Sequence, residues 1–197
     1  MKVLFLTSNE NKVIEANQTL SELGYEIEQF LINGLAPKII EPQSSEIEIV
    51  SEFKIQQALE LISGTNFENY ALLVEDSGLF IESLNDFPGV YSSYFFRTVG
   101  NQGILKLLEN ESNRNAEYRA FSILYRDGVY FRALGKCLGS ISTDIKGSNG
   151  FGYDPIFIPD SGDGRTFGEM QDYEKESKSH RGESLRILYD KLSLPSK

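Results

Sequence analysis

Hydrophobic residues in the first half of the chain form short runs that alternate with amphipathic stretches. The run from residue 2 to residue 6 predicts a strand, and residues 25–32 predict a second strand. Residues 11–23 predict a helix that ends at Gly24, and residues 45–63 predict a second helix. The first helix would place four apolar residues on one face: Val13, Ala16, Leu20 and Leu23. Strands and helices therefore alternate in this half of the chain.

The second predicted helix carries a lysine on its apolar face. The stripe has spacings of +3, +4, +4 and +3 through Ile47, Val50, Lys54, Ala58 and Leu61. A lysine in such a stripe either extends its ammonium group to solvent or has a buried anionic partner. The first arrangement is the commoner one. If Lys54 has no anionic partner, its place on the apolar stripe costs stability, and we expect Lys54→Met to leave thermal stability equal or higher. A bound phosphate would explain the position better.

Two adjacent carboxylates follow an apolar run in the middle of the chain. Residues 70–74 predict a buried strand, and Glu75, Asp76 and Ser77 would leave the sheet at its carboxyl edge, with Gly78 allowing a turn. Open α/β sheets usually bind ligands at that edge. Since adjacent residues of an extended segment point to opposite sides, only one carboxylate can face a given cleft, and Asp76 is the candidate. The alternative is a turn in which Asp76 and Ser77 cap backbone amides.

The loop at residues 7–12 joins the first strand to the first helix. Unpaired amides and the positive end of the helix dipole would meet there, and Lys12 could add a full charge, so the loop suits an anion. It lacks the glycines of a Walker loop. Ser8, Asn9 and Asn11 are also good helix caps, and capping alone would explain them.

The second half of the chain predicts a long hairpin and an aromatic segment. Residues 118–126 and 129–138 would be antiparallel strands joined by the two-residue turn Asp127-Gly128. Residues 91–97 are dense in aromatic side chains and predict either a core helix or an interface, and Asn101 would cap a short helix.

A glycine-rich loop with aromatic side chains occupies residues 147–155. Aromatic faces in such a loop suit a stacked base, although the basic residues of RNA-binding motifs are missing. Taken alone, such a loop is more often a bend with packed aromatic side chains. Residues 174–181 lead into a final helix, and without other context they indicate a solvated, charged helix start. His180 is the single histidine of the chain, which excludes a zinc site built on a histidine pair.

Composition narrows the class of protein further. The 197 residues carry a formal net charge of −10, which argues against a nucleic-acid partner because such binding relies on Lys and Arg. The single Cys137 excludes an internal disulfide and a cysteine-based metal cluster. The sequence has no apolar run of the ~18 residues that a membrane span requires, and its first apolar run is too short for a signal peptide. We therefore expect a cytoplasmic protein without a membrane partner.

Five short motifs occur in order along nearly the whole chain. They are Thr7-Ser8-Asn9-x-x-Lys12, Glu75-Asp76-Ser77-Gly78-Leu79, Pro88-Gly89-Val90-Tyr91-Ser92, Gly150-Phe151-Gly152-Tyr153-Asp154-Pro155-Ile156-Phe157 and Ser179-His180-Arg181. Together they resemble the signature motifs of the inosine triphosphatase family, which includes the Ham1-like house-cleaning pyrophosphatases. The compact length and the segment Phe95-Phe96-Arg97-Thr98 look most like the archaeal members.

The resemblance implies a fold and an activity. The implied fold is an elongated α/β structure, a single domain over residues 1–197, whose long mixed β-sheet and flanking helices form two lobes around a central cleft that holds the active site. The implied activity is Mg²⁺-dependent hydrolysis of non-canonical purine nucleoside triphosphates, namely ITP, dITP and XTP, to the monophosphate and pyrophosphate. This would remove them from the nucleotide pool. Family members are usually homodimers.

The resemblance also implies site residues at the matching positions. Asp76 would bind the metal or accept a proton from water, and Ser77 would touch the substrate. The triphosphate would be held by Thr7, Ser8, Asn9, Glu10, Asn11, Lys12 and Lys54. The nucleoside would be held by Phe151, Gly152, Tyr153, Asp154, Lys175, His180 and Arg181.

The chain departs from the family pattern at the metal site. Some relatives carry a metal-binding acid in the loop before the second helix, where this chain has Pro37. Glu41 is the first acid of that loop and is the predicted second Mg²⁺ ligand beside Asp76.

Two other readings remain open at this point. A pyrophosphatase of the Maf type would share the architecture but act on pyrimidine or modified nucleotides, and the last two motifs speak against it. A nucleotide-binding sensor without turnover would be expected to lose Asp76 or Lys54, and both are present.

Overall fold

A computed structural model describes residues 1–193 of the chain. The strands of this part are β1 (Lys2–Phe5), β2 (Glu26–Gln29), β3 (Ala71–Ile81), β4 (Phe87–Gly89), β5 (Asn115–Arg126), β6 (Val129–Ile141) and β7 (Phe157–Pro159). The α-helices are α1 (Glu10–Leu20), α2 (Ile47–Ile62), α3 (Ser92–Leu107), α4 (Asp172–Glu176) and α5 (His180–Ser193). Short 3₁₀ helices lie at Ser21–Leu23, Glu82–Leu84, Asp154–Ile156 and Phe167–Glu169. None of the helices within residues 1–193 is long and apolar enough to cross a membrane.

The strands form one mixed sheet. Its order is β2-β1-β3-β5-β6-β7, and β4 pairs with the end of β3. Strand β1 runs parallel to both of its neighbours, so that Leu4 lies opposite Glu28 on one side and Leu72 on the other. Strand β4 is antiparallel to β3, and β7 is antiparallel to β6. The predicted α/β class with a mixed sheet is therefore confirmed.

The chain divides into two compact units. The first contains residues 1–76, residues 121–135 and the described residues from 184 onward, and the second contains residues 77–120 and 136–183. Each unit has its own apolar core. The first core includes Val3, Phe5, Ala16, Leu20, Ile27, Leu73, Leu124, Leu185 and Leu188. The second includes Leu79, Ile81, Ile104, Leu108, Tyr118, Ile156, Phe157, Phe167 and Met170.

Strand β3 is longer than the sequence predicts. The predicted strand ends at Val74 and turns at Gly78, whereas β3 continues to Ile81 without a turn. The reason is that the apolar pattern resumes after the polar residues, and the three residues 79–81 are all buried. Gly78 has a different function from the predicted one: a Cβ atom there would lie 2.2 Å from the carbonyl oxygen of Gly89. Glycine at this position therefore allows β4 to approach β3 closely.

The predicted hairpin is confirmed, and its strands are longer than expected. Asp127 and Gly128 form the turn with φ angles of 51° and 83°, as a primed two-residue turn requires. Helix α3 contains a break at Gly100, where φ is 63° and ψ is −164°. Asn101 follows the break, and its side-chain amide donates a hydrogen bond to the carbonyl oxygen of Gly152 at 3.2 Å. Asn101 thus holds the glycine-rich loop.

Candidate active site

Lys54 is the centre of a charged cluster in the first unit. Its Nζ atom lies 2.5 Å from Oδ1 of Asp76 and 2.7 Å from Oε1 of Glu41. The side chains of Lys54 and Asp76 are each 13% exposed, whereas that of Glu41 is 59% exposed. Of the two arrangements possible for a lysine in an apolar stripe, the structure therefore has the anionic partner, and the contact with Asp76 is partly buried. The assumption that Lys54 is unpaired is wrong.

Burial and charge act in opposite directions on this pair. Burial by itself lowers the pKa of Lys54, but the nearby carboxylates of Asp76 and Glu41 outweigh it and leave that pKa raised. Burial raises the pKa of Asp76, and the charges of Lys54 and Lys12 only partly offset the effect. A carboxylate with a raised pKa holds a proton more readily than a surface aspartate. This property suits a group that accepts a proton from water.

The neighbouring carboxylate has a different cationic neighbour. Oε1 of Glu75 lies 3.3 Å from Nζ of Lys12, and Glu75 is 3% exposed. Adjacent carboxylates on β3 thus approach two different lysines, as the alternation of side chains along a strand requires. Both lysines belong to segments that the sequence associates with phosphate binding.

The loop at residues 7–12 has a well-formed helix cap. Oδ1 of Asn9 accepts a hydrogen bond from the backbone N–H of Asn11 at 3.0 Å, and Oγ1 of Thr7 accepts one from the N–H of Asn9 at 3.1 Å. The capping interpretation is confirmed for Asn9. Ser8, Glu10 and Asn11 are exposed, and the start of α1 beside Lys12 has the geometry that favours an anion.

The carboxylates around Lys54 are compatible with Mg²⁺. No group of three or more His, Cys, Asp or Glu side chains that could hold a metal ion occurs within residues 1–193. Mg²⁺ sites in nucleotide enzymes need only one or two protein carboxylates, because water and substrate phosphates supply the other oxygen ligands. Asp76 and Glu41 converge on one ammonium group, so they can also converge on a metal cation. Pro37 offers no side-chain ligand.

Asp154 organises the glycine-rich loop of the second unit. Its Oδ2 atom accepts hydrogen bonds from the backbone N–H of Phe151 at 2.6 Å and from Nζ of Lys175 at 2.7 Å. The residue is 3% exposed. Burial raises the pKa of Asp154, and the Lys175 ammonium group partly offsets this effect. A Cβ atom at Gly150 would lie 2.1 Å from the same Oδ2 atom, so this loop requires glycine there.

Phe151 is a candidate stacking platform. Its side chain is 40% exposed, while Nζ of Lys175 lies 4.4 Å and Cζ of Arg181 lies 5.7 Å from the ring centroid. Cations over an aromatic ring are attracted by its π-electrons. An exposed ring with neighbouring hydrogen-bond donors can stack on a base and also contact the polar edge of that base.

Tyr153 anchors the loop through its side chain. It is 3% exposed, its hydroxyl group donates to the carbonyl oxygen of Ser92 at 2.9 Å, and its ring meets Phe96 edge to face. Oγ of Ser92 in turn accepts a hydrogen bond from the N–H of Leu79 at 2.8 Å and donates one to the carbonyl oxygen of Gly89 at 2.6 Å. Any contact of Tyr153 with a ligand would therefore come from its backbone.

His180 and Arg181 are buried at the start of α5. They are 7% and 2% exposed, so the expectation of a solvated helix start is wrong. The His180 imidazole stacks on Tyr118 with ring centroids 4.6 Å apart and an angle of 8° between the planes. Sequence reasoning assigned Tyr118 only to a strand, because nothing in its spacing from His180 signals the contact.

The structure thus gathers the predicted residues into two groups. Lys12, Lys54, Glu41 and Asp76 form charged contacts within the first unit. Phe151, Asp154, Lys175 and Arg181 form contacts within the second unit. Ser77 and Gly152 are partly buried.

The fold is that of Ham1 proteins of known structure. A Ham1 protein from Coxiella burnetii superimposes with a TM-score of 0.81 over 98% of both chains at 29% identity. The sequence model of the Ham1 family matches residues 3–191, and the chain belongs to this family. The Maf-type alternative is therefore not favoured.

Curated relatives carry a more specific name. The dITP/XTP pyrophosphatase of Thermococcus kodakarensis is 44% identical over 186 residues, which cover 94% of each chain. The dITP/XTP pyrophosphatase of Pyrococcus horikoshii is 43% identical over 194 residues, which cover 98% of each chain. Both relatives are archaeal, in agreement with the resemblance seen in the sequence.

Proposed function

We propose that this protein hydrolyses ITP, dITP and XTP to the nucleoside monophosphate and pyrophosphate. The observation that carries the proposal is the partly buried contact of 2.5 Å between Lys54 and Asp76, beside Glu41 and Lys12. This cluster combines cations for a triphosphate with carboxylates for a metal or a water molecule. It occurs in a chain that is 44% identical to a dITP/XTP pyrophosphatase.

The cluster can support attack of water on the α-phosphorus. The new bond joins the water oxygen to the α-phosphorus, and the bond to the oxygen that bridges the α- and β-phosphates breaks. Asp76 would accept the proton of the water molecule, and Lys12 and Lys54 would stabilise the negative charge of the departing pyrophosphate. Mg²⁺ held by Asp76 and Glu41 would neutralise triphosphate charge. The reaction relies on positioning and electrostatics, so no nucleophilic side chain is needed.

The glycine-rich loop and the start of α5 would read the base. Inosine and xanthine have an oxygen at position 6, which accepts hydrogen bonds, whereas adenine has an amino group, which donates them. Lys175, Arg181 and a suitably oriented His180 can donate to the oxygen. Adenine would leave these buried donors facing another donor, and such a mismatch can cost a factor of ~10⁴. Phe151 would stack on the purine ring.

Pyrophosphate release tests the proposed function directly. With Mg²⁺ present, we expect pyrophosphate from ITP, dITP and XTP, with kcat/KM at least about 100-fold above that for ATP. EDTA should abolish release. Orthophosphate as the product, or equal use of ATP, would contradict the assignment. Pyrophosphate release that continues in EDTA would refute the Mg²⁺ dependence but not the hydrolysis itself.

Arg181→Ala tests base reading. We expect the ratio of kcat/KM for ITP to that for ATP to fall by about 10-fold or more, because a donor to the 6-oxo group is lost. The ratio of ITP to GTP should change much less, since guanine also has the 6-oxo group. Arg97→Ala removes the same charge from an exposed position of α3 and serves as the control. An unchanged ratio of ITP to ATP in folded Arg181→Ala would remove Arg181 from base reading.

The homodimeric state and the cytoplasmic location that were expected from the sequence stay predictions. Sedimentation of the purified protein would test the first, and cell fractionation the second.

A further inference from the structure

The single histidine of the chain, His180, stacks on a tyrosine ring. The imidazole of His180 lies nearly parallel to the ring of Tyr118, with 8° between the planes and 4.6 Å between the centroids. His180 is 7% exposed and Tyr118 is 8% exposed. The histidine is the first residue of α5, and the tyrosine lies on β5. The contact therefore joins two elements that are distant in the sequence.

Tyr118 is itself fixed by a buried aromatic cluster. Its centroid lies 4.6 Å from that of Phe157 and 6.4 Å from that of Phe167. The two phenylalanines pack against each other at 5.3 Å, and both are 0% exposed. Close packing of this kind keeps the planes of the rings in place on the time average. The plane on which the imidazole rests is therefore rigid.

The orientation of an imidazole decides what it offers to a ligand. A neutral imidazole has one nitrogen that donates a hydrogen bond and one that accepts, and both directions lie in the plane of the ring. A ring held in one plane can direct a donating N–H at position 6 of a purine, where an oxo group accepts the bond and an amino group does not. Hydrogen bonds weaken steeply when the angle falls below about 120°, so a tilted ring would lose its bond to an oxo group, whereas the amino group of adenine has no such bond to lose.

We propose that Tyr118 is a positioning residue that fixes the plane of His180 and thereby sets the preference for 6-oxo over 6-amino purines. This inference rests on the proposed function, in which His180 reads the base. Tyr118 acts through its ring, because the ring makes the stacking contact. The hydroxyl group is not required.

Three variants separate positioning from general loss of packing. Tyr118→Leu removes the ring, Tyr118→Phe keeps it, and Leu108→Ala opens the same core at a residue that is 0% exposed. We expect Tyr118→Leu to lower the ratio of kcat/KM for ITP to that for ATP by about tenfold. Tyr118→Phe and Leu108→Ala should keep the ratio within about twofold of the parent, although Leu108→Ala melts earlier. In a His180→Ala background, Tyr118→Leu should lower the ratio no further.

Because the chain has one histidine, proton NMR reports on this ring without ambiguity. The carbon-bound imidazole protons of the parent protein should lie upfield of their positions in the unfolded chain, owing to the ring current of Tyr118. They should stay upfield in Tyr118→Phe and move towards the unfolded positions in Tyr118→Leu. Adding inosine monophosphate should shift them, and adenosine monophosphate should shift them less.

The inference fails if folded Tyr118→Leu keeps the parental ratio of ITP to ATP while His180→Ala loses it. It also fails if the imidazole proton signals of the parent protein are not upfield, or if they do not shift when inosine monophosphate is added. This NMR measurement decides the question if Tyr118→Leu does not fold. A parental ratio in His180→Ala would overturn the base-reading role of His180 and this inference with it. The phosphate chemistry would then be judged separately, by pyrophosphate release from ITP.

Discussion

Replacing Asp76 by asparagine is expected to reduce ITP hydrolysis by about 10³-fold or more while the protein remains folded and binds ITP. The amide keeps the shape of the carboxyl group but cannot accept a proton from water or contribute charge to a metal. Lys54 would keep Glu41 as an anionic neighbour at 2.7 Å, so a large loss of stability is not expected. Pyrophosphate release and calorimetric titration with ITP measure the two properties.

Asp190→Asn is the matched control for this variant. Asp190 is exposed on α5 and has no place in the proposed chemistry. Its replacement should leave pyrophosphate release within about twofold of the parent. Hydrolysis by Asp76→Asn within tenfold of the parent would refute the catalytic assignment of Asp76.

Replacing Lys54 by methionine should weaken both ITP binding and the fold. The sequence alone predicts equal or higher stability, but that prediction assumes an unpaired lysine, and the structure pairs Lys54 with Asp76 at 2.5 Å. Removing one partner leaves a partly buried carboxylate without its nearest cation, and we expect a loss of about 1–3 kcal/mol in the free energy of unfolding at neutral pH. Affinity for ITP should fall at least about tenfold. Chemical denaturation and titration with ITP test both results.

The loss of stability should depend on pH in a defined direction. Burial already raises the pKa of Asp76 in the parent, and loss of the Lys54 charge would raise that pKa further. A group whose pKa is higher in the folded state stabilises the fold below its unfolded pKa, about 3.9, and this contribution is lost as pH rises through the folded pKa. The deficit of Lys54→Met should therefore be small near about pH 4 and grow towards neutral pH.

Two further variants keep this prediction testable. Lys54→Met combined with Asp76→Asn should recover most of the lost stability, since no buried charge is then left without its partner. Lys38→Met replaces an exposed lysine of the same unit and should change little. If Lys54→Met melts earlier but binds ITP normally, Lys54 is structural and has no role in phosphate binding.

The sequence predicted the elements well where side-chain periodicity determines them. The alternation of strands and helices in the first half, and the hairpin around Asp127 and Gly128, follow from local patterns and turn chemistry. The position at which β3 ends does not follow from the local pattern. The polar residues around Asp76 predict a turn, but the apolar residues after them continue the strand. Burial of those later residues against the second core keeps the strand extended.

Contacts between residues that are distant in the sequence cannot be predicted from local patterns. The charged partners of Lys54 are Glu41, in the loop before α2, and Asp76, on β3. A helical pattern shows that a lysine lies on the apolar face but not which acid meets it. The stack of His180 on Tyr118 joins positions 62 residues apart in the same way. For this reason the sequence indicates a solvated helix start, whereas His180 is buried.

The close approach of Gly150 to Asp154 has a consequence for how this protein can evolve. A side chain at position 150 would displace the carboxylate that holds both the Phe151 amide and the Lys175 ammonium group. A first substitution at Gly150 would therefore disturb Phe151, the proposed stacking ring, and Lys175, a proposed donor to the base, together. Mutational paths towards new base preferences should avoid this glycine and start at Phe151, whose ring is exposed. Sequence libraries selected for altered nucleotide use would show this as strong epistasis between positions 150 and 154.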